Sequence, residues 1–216
     1  MSEPIHKPVV VIGTGGHASV LVDILRSKKR TILAVLSPDR IELREAFHQI
    51  PHFTNDMDVR RFSVDEVVLV NGIGPSAREG IELKRKINKS FLKWGFQFET
   101  LISSDACVSP YAKISPGVQV LSGAIIHPGA KIGGHSVINT GAIVEHDCII
   151  GEYNHVAPCA TLCGNVSTGA DVFVGAASVV LENLSLGCSS TVGAGAVLTR
   201  SLKQQQTCYS AHSVIR

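Results

Sequence analysis

An aliphatic residue recurs at every sixth position of residues 108–198, and this period constrains the fold more than any other feature of the chain. Fifteen of the sixteen positions hold Val, Ile or Leu, although only 44% of the whole chain is hydrophobic. The positions are Val108, Ile114, Val120, Ile126, Ile132, Ile138, Val144, Ile150, Val156, Leu162, Thr168, Val174, Val180, Leu186, Val192 and Leu198. A six-residue repeat predicts a parallel β-helix, in which each hexapeptide supplies one short strand and one corner.

The composition changes where the repeat begins. Of the 20 glycines, 7 precede residue 103 and 13 follow it, whereas 7 of the 11 aromatic residues lie in the first 102. A β-helix needs glycine at its corners and has a thin core that admits aliphatic and small side chains. We therefore predict a first domain over 1–102, a β-helix domain over 103–203 and a tail over 204–216.

The first domain alternates predicted strands with predicted helices. Apolar runs at 9–12, 31–36, 67–70 and 96–102 predict strands. Helical patterns run over about 16–28 and 41–47, and Ser76 is placed to cap a helix that reaches about residue 93. This alternation predicts a Rossmann-like α/β domain with a parallel sheet.

Charge, cysteine usage and hydropathy narrow the functional classes. The net charge of +2 gives no electrostatic case for nucleic acid. We expect no membrane span, because no apolar run approaches ~18 residues, and no signal peptide at the N-terminus. The six cysteines form no CxxC pair, so we expect reduced thiols, a cytoplasmic location and no metal.

The segment Gly13-Thr14-Gly15-Gly16-His17-Ala18 follows a predicted strand and opens a helix. Such a loop directs backbone N–H groups and a helix N-terminus toward a phosphate. It also fits the dinucleotide pattern with Ala at its end. An NAD site needs an acidic residue at the end of the second strand, where this chain has Ser37-Pro38 and only then Asp39. NAD is therefore not expected.

His146 is the strongest candidate for a catalytic residue. It is the third residue of its hexapeptide, entering a corner, so its side chain is expected to point outward. A histidine can act as a general base near neutral pH, so an outward His146 is a candidate for taking a proton from a nucleophile. Asp147 directly follows and is placed to orient the ring.

The hexapeptide repeat resembles the left-handed β-helix acyltransferases, in which three hexapeptides form one triangular coil. Three segments, 13–17, 71–74 and 138–151, make the chain similar to the bacterial sialic-acid O-acetyltransferase-like family. Its best-understood members are nucleotide-4-amino-sugar N-acetyltransferases of the protein-glycosylation and perosamine type. The resemblance implies acetyl-CoA as donor, a homotrimer with active sites between subunits, and a role in polysaccharide biosynthesis.

The resemblance also assigns roles to individual residues. It implies His146 as general base with Asp147 in support. It implies acetyl-CoA contacts from His155, Gly164, Ala176 and Ala194. It implies contacts to the nucleotide sugar from Gly15, Gly16, His17, Ser37, Gly74 and Asn139. The family often ends in a Gly-x-Pro-Ala-Lys-like segment, but residues 209–215 here lack both the proline and the lysine.

A coil of 18 residues predicts which corners stack. Pro128 and Gly164 should lie on either side of His146, leaving room for a groove. His155 lies nine residues after His146, half a coil away, at a predicted corner. The two histidines are expected to share a site only if a neighbouring subunit supplies one of them.

Several alternatives stay open. One is O-acetylation of a sugar such as sialic acid, and another is a non-catalytic nucleotide-binding scaffold. A third is a zinc enzyme of the β-helix carbonic anhydrase type, but His127, His135, His146 and His155 are spaced 8, 11 and 9 residues apart, with no close pair. The sequence leaves the sugar undetermined, and also the choice between UDP and GDP.

Overall fold

The structure, a computed structural model, describes residues 6–39, 44–74 and 77–210. They form two compact units. The first contains the described residues of 1–76 together with Glu82–Glu99, and the second contains Ala77–Ile81 and the described residues from Thr100 onward. The continuous part of the second unit begins at Thr100, three residues before the predicted domain boundary at 103.

The first unit is built on a four-stranded parallel sheet. Its elements are β1 (Val9–Ile12), α1 (Gly16–Ser27), β2 (Ile32–Leu36), β3 (His52–Phe53), β4 (Val68–Asn71) and, from Glu82 onward, α2 (Ala77–Lys93), with short 3-10 helices at Glu45–Phe47 and Asp56–Arg61. The strand order is β3-β2-β1-β4, and every pair is parallel. All four residues of β1 are buried, as a central parallel strand requires. The predicted Rossmann-like sheet is confirmed.

Three local predictions for this unit need comment. Of the helix predicted over 41–47, only Glu45–Phe47 is observed, as one 3-10 turn, and residues 41–43 lie outside the described residues, as does the Ser76 cap. The single strand predicted over 96–102 is wrong: Phe98 makes an isolated bridge to Leu69, while Leu101–Ile102 pairs within the second unit. A run of apolar residues predicts that they are buried, but it does not indicate which sheet each residue joins.

The second unit is a left-handed parallel β-helix, as predicted. Its strands β5 to β22 are two residues long: Leu101–Ile102, Cys107–Val108, Lys113–Ile114, Gln119–Val120, Ile125–Ile126, Lys131–Ile132, Val137–Ile138, Ile143–Val144, Ile149–Ile150, His155–Val156, Thr161–Leu162, Ser167–Thr168, Phe173–Val174, Val179–Val180, Ser185–Leu186, Thr191–Val192, Val197–Leu198 and Thr207–Cys208. The last of these lies in the predicted tail.

These strands form three parallel faces. Face 1 contains β5, β8, β11, β14, β17, β20 and β22; face 2 contains β6, β9, β12, β15, β18 and β21; face 3 contains β7, β10, β13, β16 and β19. Partners are 18 residues apart, as in the pairing of Ile143 with Thr161, except between β20 and β22, where Thr191 pairs with Thr207. Three hexapeptides therefore complete one coil, as the resemblance implied.

The repeated aliphatic side chains fill the core, and one polar side chain is accommodated there. Thr168, the exception in the repeat, is buried. Its hydroxyl accepts hydrogen bonds from the Gly151 amide (3.0 Å) and from the side-chain amide of Asn154. The side-chain Oδ1 of Asn154 in turn accepts a hydrogen bond from the Val172 amide at 2.7 Å. The buried polar groups of this pair are thus satisfied.

No helix among the described residues combines the length and apolar character needed to cross a bilayer.

Candidate functional site

The turn Glu145–Cys148 joins face 2 to face 3 and carries a paired histidine and carboxylate. The Nδ1 atom of His146 lies 2.9 Å from Oδ2 of Asp147, and both side chains are exposed. Asp147 has a φ of 60°, a left-handed conformation that Asp tolerates better than most residues. In the neutral tautomer whose Nδ1–H donates this hydrogen bond to the carboxylate, Nε2 carries no proton and can accept one.

Two glycines flank this pair in the neighbouring coils. A Cβ at Gly164 would lie 2.7 Å from both Cε1 and Nε2 of His146, and a Cβ at Gly129 would collide with Oδ1 of Asp147. The amide of Asn165 donates to the His146 carbonyl at 2.9 Å, and the amide of Asp147 donates to the Pro128 carbonyl at 3.2 Å. The predicted stacking around His146 is confirmed. Sequence reasoning missed Gly129, which the same 18-residue offset from Asp147 identifies.

A cavity of about 420 Å³ opens beside the imidazole. It is lined by Glu145, His146, Cys163, Gly164, Asn165, Glu182 and Asn183. We name the turns 127–130, 145–148, 163–166 and 181–184, which form this side of the helix, the His146 edge.

Neither cysteine of the His146 edge is set up as a nucleophile. Burial, with the Glu182 and Glu145 carboxylates as smaller causes, raises the pKa of Cys163. Burial raises the pKa of Cys148 to about 11, and its thiol donates to the Cys163 carbonyl at 3.2 Å. Both remain thiols near neutral pH, whereas the thiolate is the reactive form.

A second group of predicted residues gathers where face 1 meets face 2. His155 lies on β14 and is 6% exposed, so its predicted corner position is wrong. Its ring stacks on Phe173 with centroids 5.2 Å apart, and its Nε2 lies 3.5 Å from Nδ2 of Asn139. Asn139 also accepts a hydrogen bond from the Thr140 amide at 2.8 Å. Phe173, 18 residues after His155, was not predicted from the sequence.

Ala176 and Ala194 lie in the turns between the same two faces, one coil apart. Ala194 is exposed and Ala176 is half-buried, and the Ala176 carbonyl accepts from the Gly195 amide at 2.8 Å. We name the turns 139–142, 157–160, 175–178 and 193–196 the Asn139 edge. The His146 edge and the Asn139 edge flank face 2, so within one chain the structure does not bring His146 and His155 together.

The glycine-rich loop of the first unit follows β1 as predicted. Gly13 has a φ of 94°, and Cβ atoms at Gly15 and Gly16 would meet nothing within 4 Å. The 12-residue helix α1 begins at Gly16 without a side-chain cap. Its first N–H groups therefore lack intrahelical partners, as at the start of any α-helix, and are available to a ligand.

Two further turns complete the surroundings of this loop. A Cβ at Gly72, just after β4, would lie 2.5 Å from the Ala18 Cβ, so glycine permits the close approach of α1. A Cβ at Gly74 would lie 3.1 Å from the His17 Cβ, which places these two predicted residues side by side. Ser37, at the end of β2, is buried and accepts a hydrogen bond from the Thr14 hydroxyl at 3.2 Å.

A cavity of about 350 Å³ lies at the carboxyl ends of the strands. Its lining is formed by Ile12, Gly13, Thr14, Gly15, Leu36, Ser37, Pro38, Asp39, Asp56, Gly72, Ile73, Gly74, Leu83 and Ile87. Another cavity, of about 480 Å³, includes Pro8 and Val67 at the opposite strand ends. Ligands of open parallel sheets bind at the carboxyl ends of the strands, so the cavity of about 350 Å³ is the candidate ligand site of this unit.

Within the described ranges, no group of three or more His, Cys, Asp or Glu side chains is arranged to hold a metal ion.

The second unit is a β-helix of hexapeptide repeats with a histidine–carboxylate pair beside an open cavity at a corner, and a Rossmann-like unit precedes it. This combination defines an acyltransferase. Residues 8–80 match the family model described as PglD N-terminal domain. The acetyltransferase domain of PglB from Neisseria gonorrhoeae, in complex with acetyl coenzyme A, matches with a TM-score of 0.86 and 26% identity, covering 95% of this chain and 97% of that one.

A variant of perosamine N-acetyltransferase from Caulobacter crescentus, in complex with CoA and GDP-perosamine, is 31% identical, with a TM-score of 0.85 over 94% of this chain and 93% of that one. WeeI from Acinetobacter baumannii, at 21% identity and a TM-score of 0.80 over 94% and 96%, shares the fold. No curated protein matches. The chain belongs to the hexapeptide-repeat sugar acetyltransferases.

Proposed function

We propose that this chain transfers an acetyl group from acetyl-CoA to the 4-amino group of a nucleotide-linked 4-amino-4,6-dideoxy sugar. The observation that carries the proposal is the His146–Asp147 pair, which stands over Gly164 at the mouth of a cavity. Two relatives support the choice of donor and acceptor, since one was solved with acetyl coenzyme A and the other with CoA and GDP-perosamine.

In the proposed mechanism the sugar amine attacks the thioester carbonyl directly. Nε2 of His146 takes the proton from the amine, and Asp147 stabilises the imidazolium that results. The backbone N–H of Gly164 is our candidate for stabilising the oxyanion. The tetrahedral intermediate then collapses: the C–S bond breaks, and CoA leaves as a thiolate that takes the proton from the His146 imidazolium. The raised pKa values of Cys148 and Cys163 keep them from competing for the acetyl group.

The nucleotide part of the acceptor is assigned to the cavity of the first unit. Space is open beside Gly15 and Gly16, where the unpaired N–H groups at the start of α1 can bind its phosphates, and His17, Ser37 and Gly74 are proposed to contact the nucleotide. In the β-helix, Asn139 is proposed to approach the sugar, and His155, Ala176 and Ala194 are proposed to contact acetyl-CoA. We place the reaction in the cytoplasm, because all six cysteines are free thiols.

We further propose a homotrimer that packs through face 2. The outward side chains of this face are mostly apolar, including Ile125, Ile143, Val179 and Val197, and Val197 is 58% exposed. The corresponding positions of face 3 include the exposed Lys113 and Lys131. Since both edges flank face 2, a second copy packed there would bring its Asn139 edge next to the first copy's His146 edge.

The test is a thiol-release assay with acetyl-CoA and a panel of UDP-, GDP- and dTDP-linked 4-amino sugars, using wild type and His146→Asn. We expect turnover with one class of sugar nucleotide and its loss, by about a hundredfold or more, in the variant. Sialic acid and nucleotide sugars without a free amine are added to the panel, and release only with these would indicate O-acetylation. Binding of nucleotide sugars without release from any of them would indicate a scaffold. Wild-type turnover by folded His146→Asn would exclude His146 as the base.

A further inference from the structure

The cavity of the first unit holds a carboxylate that no sequence motif indicated. Asp56 begins the 3-10 helix Asp56–Arg61, three residues after the end of β3, and lines the cavity together with Asp39. Asn55 caps this helix by accepting a hydrogen bond from the Met57 amide at 2.9 Å, so Asp56 is not needed for that role. Neither Asp39 nor Asp56 has a side-chain hydrogen bond or ion pair with the residues the structure describes.

The order of residues along the cavity follows the order of the sheet. The glycine loop lies after β1, Ser37 and Asp39 lie after β2, and Asp56 lies after β3. Neighbouring strands are ~4.8 Å apart, so the end of β3 is roughly 10 Å from the end of β1. This is about the reach of a nucleotide from its phosphate to the far edge of its base. With phosphates on the loop, the ribose falls near Asp39 and the base near Asp56.

A carboxylate at the base position discriminates strongly between bases. It offers two acceptor oxygens and no donor. Guanine presents two adjacent donors, N1–H and the exocyclic amino group, which two carboxylate oxygens can accept together. Uracil and thymine present one N–H between two carbonyls, and these carbonyl oxygens are repelled by a carboxylate. Adenine and cytosine place a ring acceptor beside their amino group, so only one carboxylate oxygen finds a donor.

We infer that Asp56 reads the Watson–Crick edge of guanine, so that the acceptor is a guanosine diphosphate sugar. This inference rests on the proposed function for the presence of a nucleotide sugar, and it adds the base and the residue that selects it. Asp39, which lines the same cavity after β2, is left to the ribose hydroxyls.

The test compares equilibrium binding of GDP, UDP, ADP and xanthosine diphosphate to the full chain by calorimetry. Wild type should prefer GDP over UDP by about tenfold or more, the effect of a charge-assisted bidentate contact. Asp56→Asn should lose a similar factor for GDP and gain affinity for xanthosine diphosphate, because an amide pairs with the N1–H and C2 carbonyl of xanthine. The matched control is Asp58→Asn in the same 3-10 helix, whose carboxylate pairs with Arg61 at 2.9 Å and does not line the cavity.

A gain for xanthosine diphosphate cannot arise from general damage to the fold, so it would support the inference even if Asp56→Asn binds all nucleotides less tightly. An unchanged GDP preference in Asp56→Asn, or a wild-type preference for UDP or ADP, would overturn it. Thiol release with a UDP-linked amino sugar and none with its GDP counterpart would overturn the inference while leaving the proposed function intact. Absence of nucleotide binding together with absence of thiol release would remove both.

Discussion

The imidazole of His146 lies directly against Gly164, one coil further along, with only 2.7 Å between its Nε2 and the place a Cβ would occupy. Any side chain at position 164 must therefore displace the ring that is proposed to accept the proton. This contact makes the glycine a requirement of the site, whereas the corner itself does not need it, since Gly164 is not among the residues with positive φ.

We expect Gly164→Ala to lower kcat by about tenfold or more, because misplacing a catalytic group by a fraction of an ångström is costly. Circular dichroism checks that the variant is folded, and the thiol-release assay measures its activity. The control is Gly134→Ala, a corner glycine whose Cβ would approach only the Pro116 carbonyl, at 3.3 Å. Wild-type kcat in a folded Gly164→Ala variant would show that the ring does not need its observed position.

The Asp147 carboxylate is expected to fix the tautomer and orientation of His146. Asp147→Asn should lower kcat by about tenfold to a hundredfold with little change in KM, since both residues are exposed and water competes for the hydrogen bond. The exposed Asp105→Asn serves as control. Equal losses in kcat for both variants would argue against a specific role for Asp147.

If face 2 is the subunit interface, a charge on it should dissociate the assembly. Val197→Glu changes an exposed side chain in the isolated chain, so the monomer should fold, while a buried unpaired carboxylate disfavours association. Light scattering after size-exclusion chromatography should show a shift from trimer to monomer, with loss of thiol release. A wild type that is monomeric and active would contradict the proposed assembly.

Replacing the one polar residue of the inward repeat by an aliphatic one should destabilise the β-helix. Thr168→Val removes the acceptor of the Gly151 amide and of the Asn154 side chain. Leaving buried donors unpaired costs about 1–3 kcal/mol each, which we expect to see as a lower free energy of unfolding in urea. Thr191→Val, on an outward half-buried position, should have little effect. A more stable Thr168→Val would mean that these donors find other partners.

Stability should rise with pH because of one buried amine. Burial lowers the pKa of Lys84 from 10.5 to about 7. Between these values the unfolded chain binds a proton that the native state does not, so the free energy of unfolding should increase with pH by up to about 1.4 kcal/mol per unit. The loss of stability caused by burying the Lys84 amine is greatest below about pH 7 and disappears above pH 10.5. Urea titrations of wild type, Lys84→Met and the exposed Lys86→Met from pH 7.5 to 9.5 should show the slope reduced only in Lys84→Met.

The sequence alone determined the β-helix, because a six-residue period sets which side chain of each hexapeptide points inward. It also placed His146 outward at a corner and the glycine loop at the start of α1. It could not locate β3, because two residues are too few to show a period, and it misplaced His155, whose burial against Phe173 depends on the neighbouring coil.

The tertiary structure decided which of these residues act together. Gly129 and Gly164 come to lie beside Asp147 and His146 because coils stack at 18 residues. Asp56 lines the same cavity as the glycine loop, although β3 lies two strands from β1. Local patterns record backbone geometry within a few residues. The approach of side chains distant in the chain is set by strand order and register, which are fixed only when the sheets form.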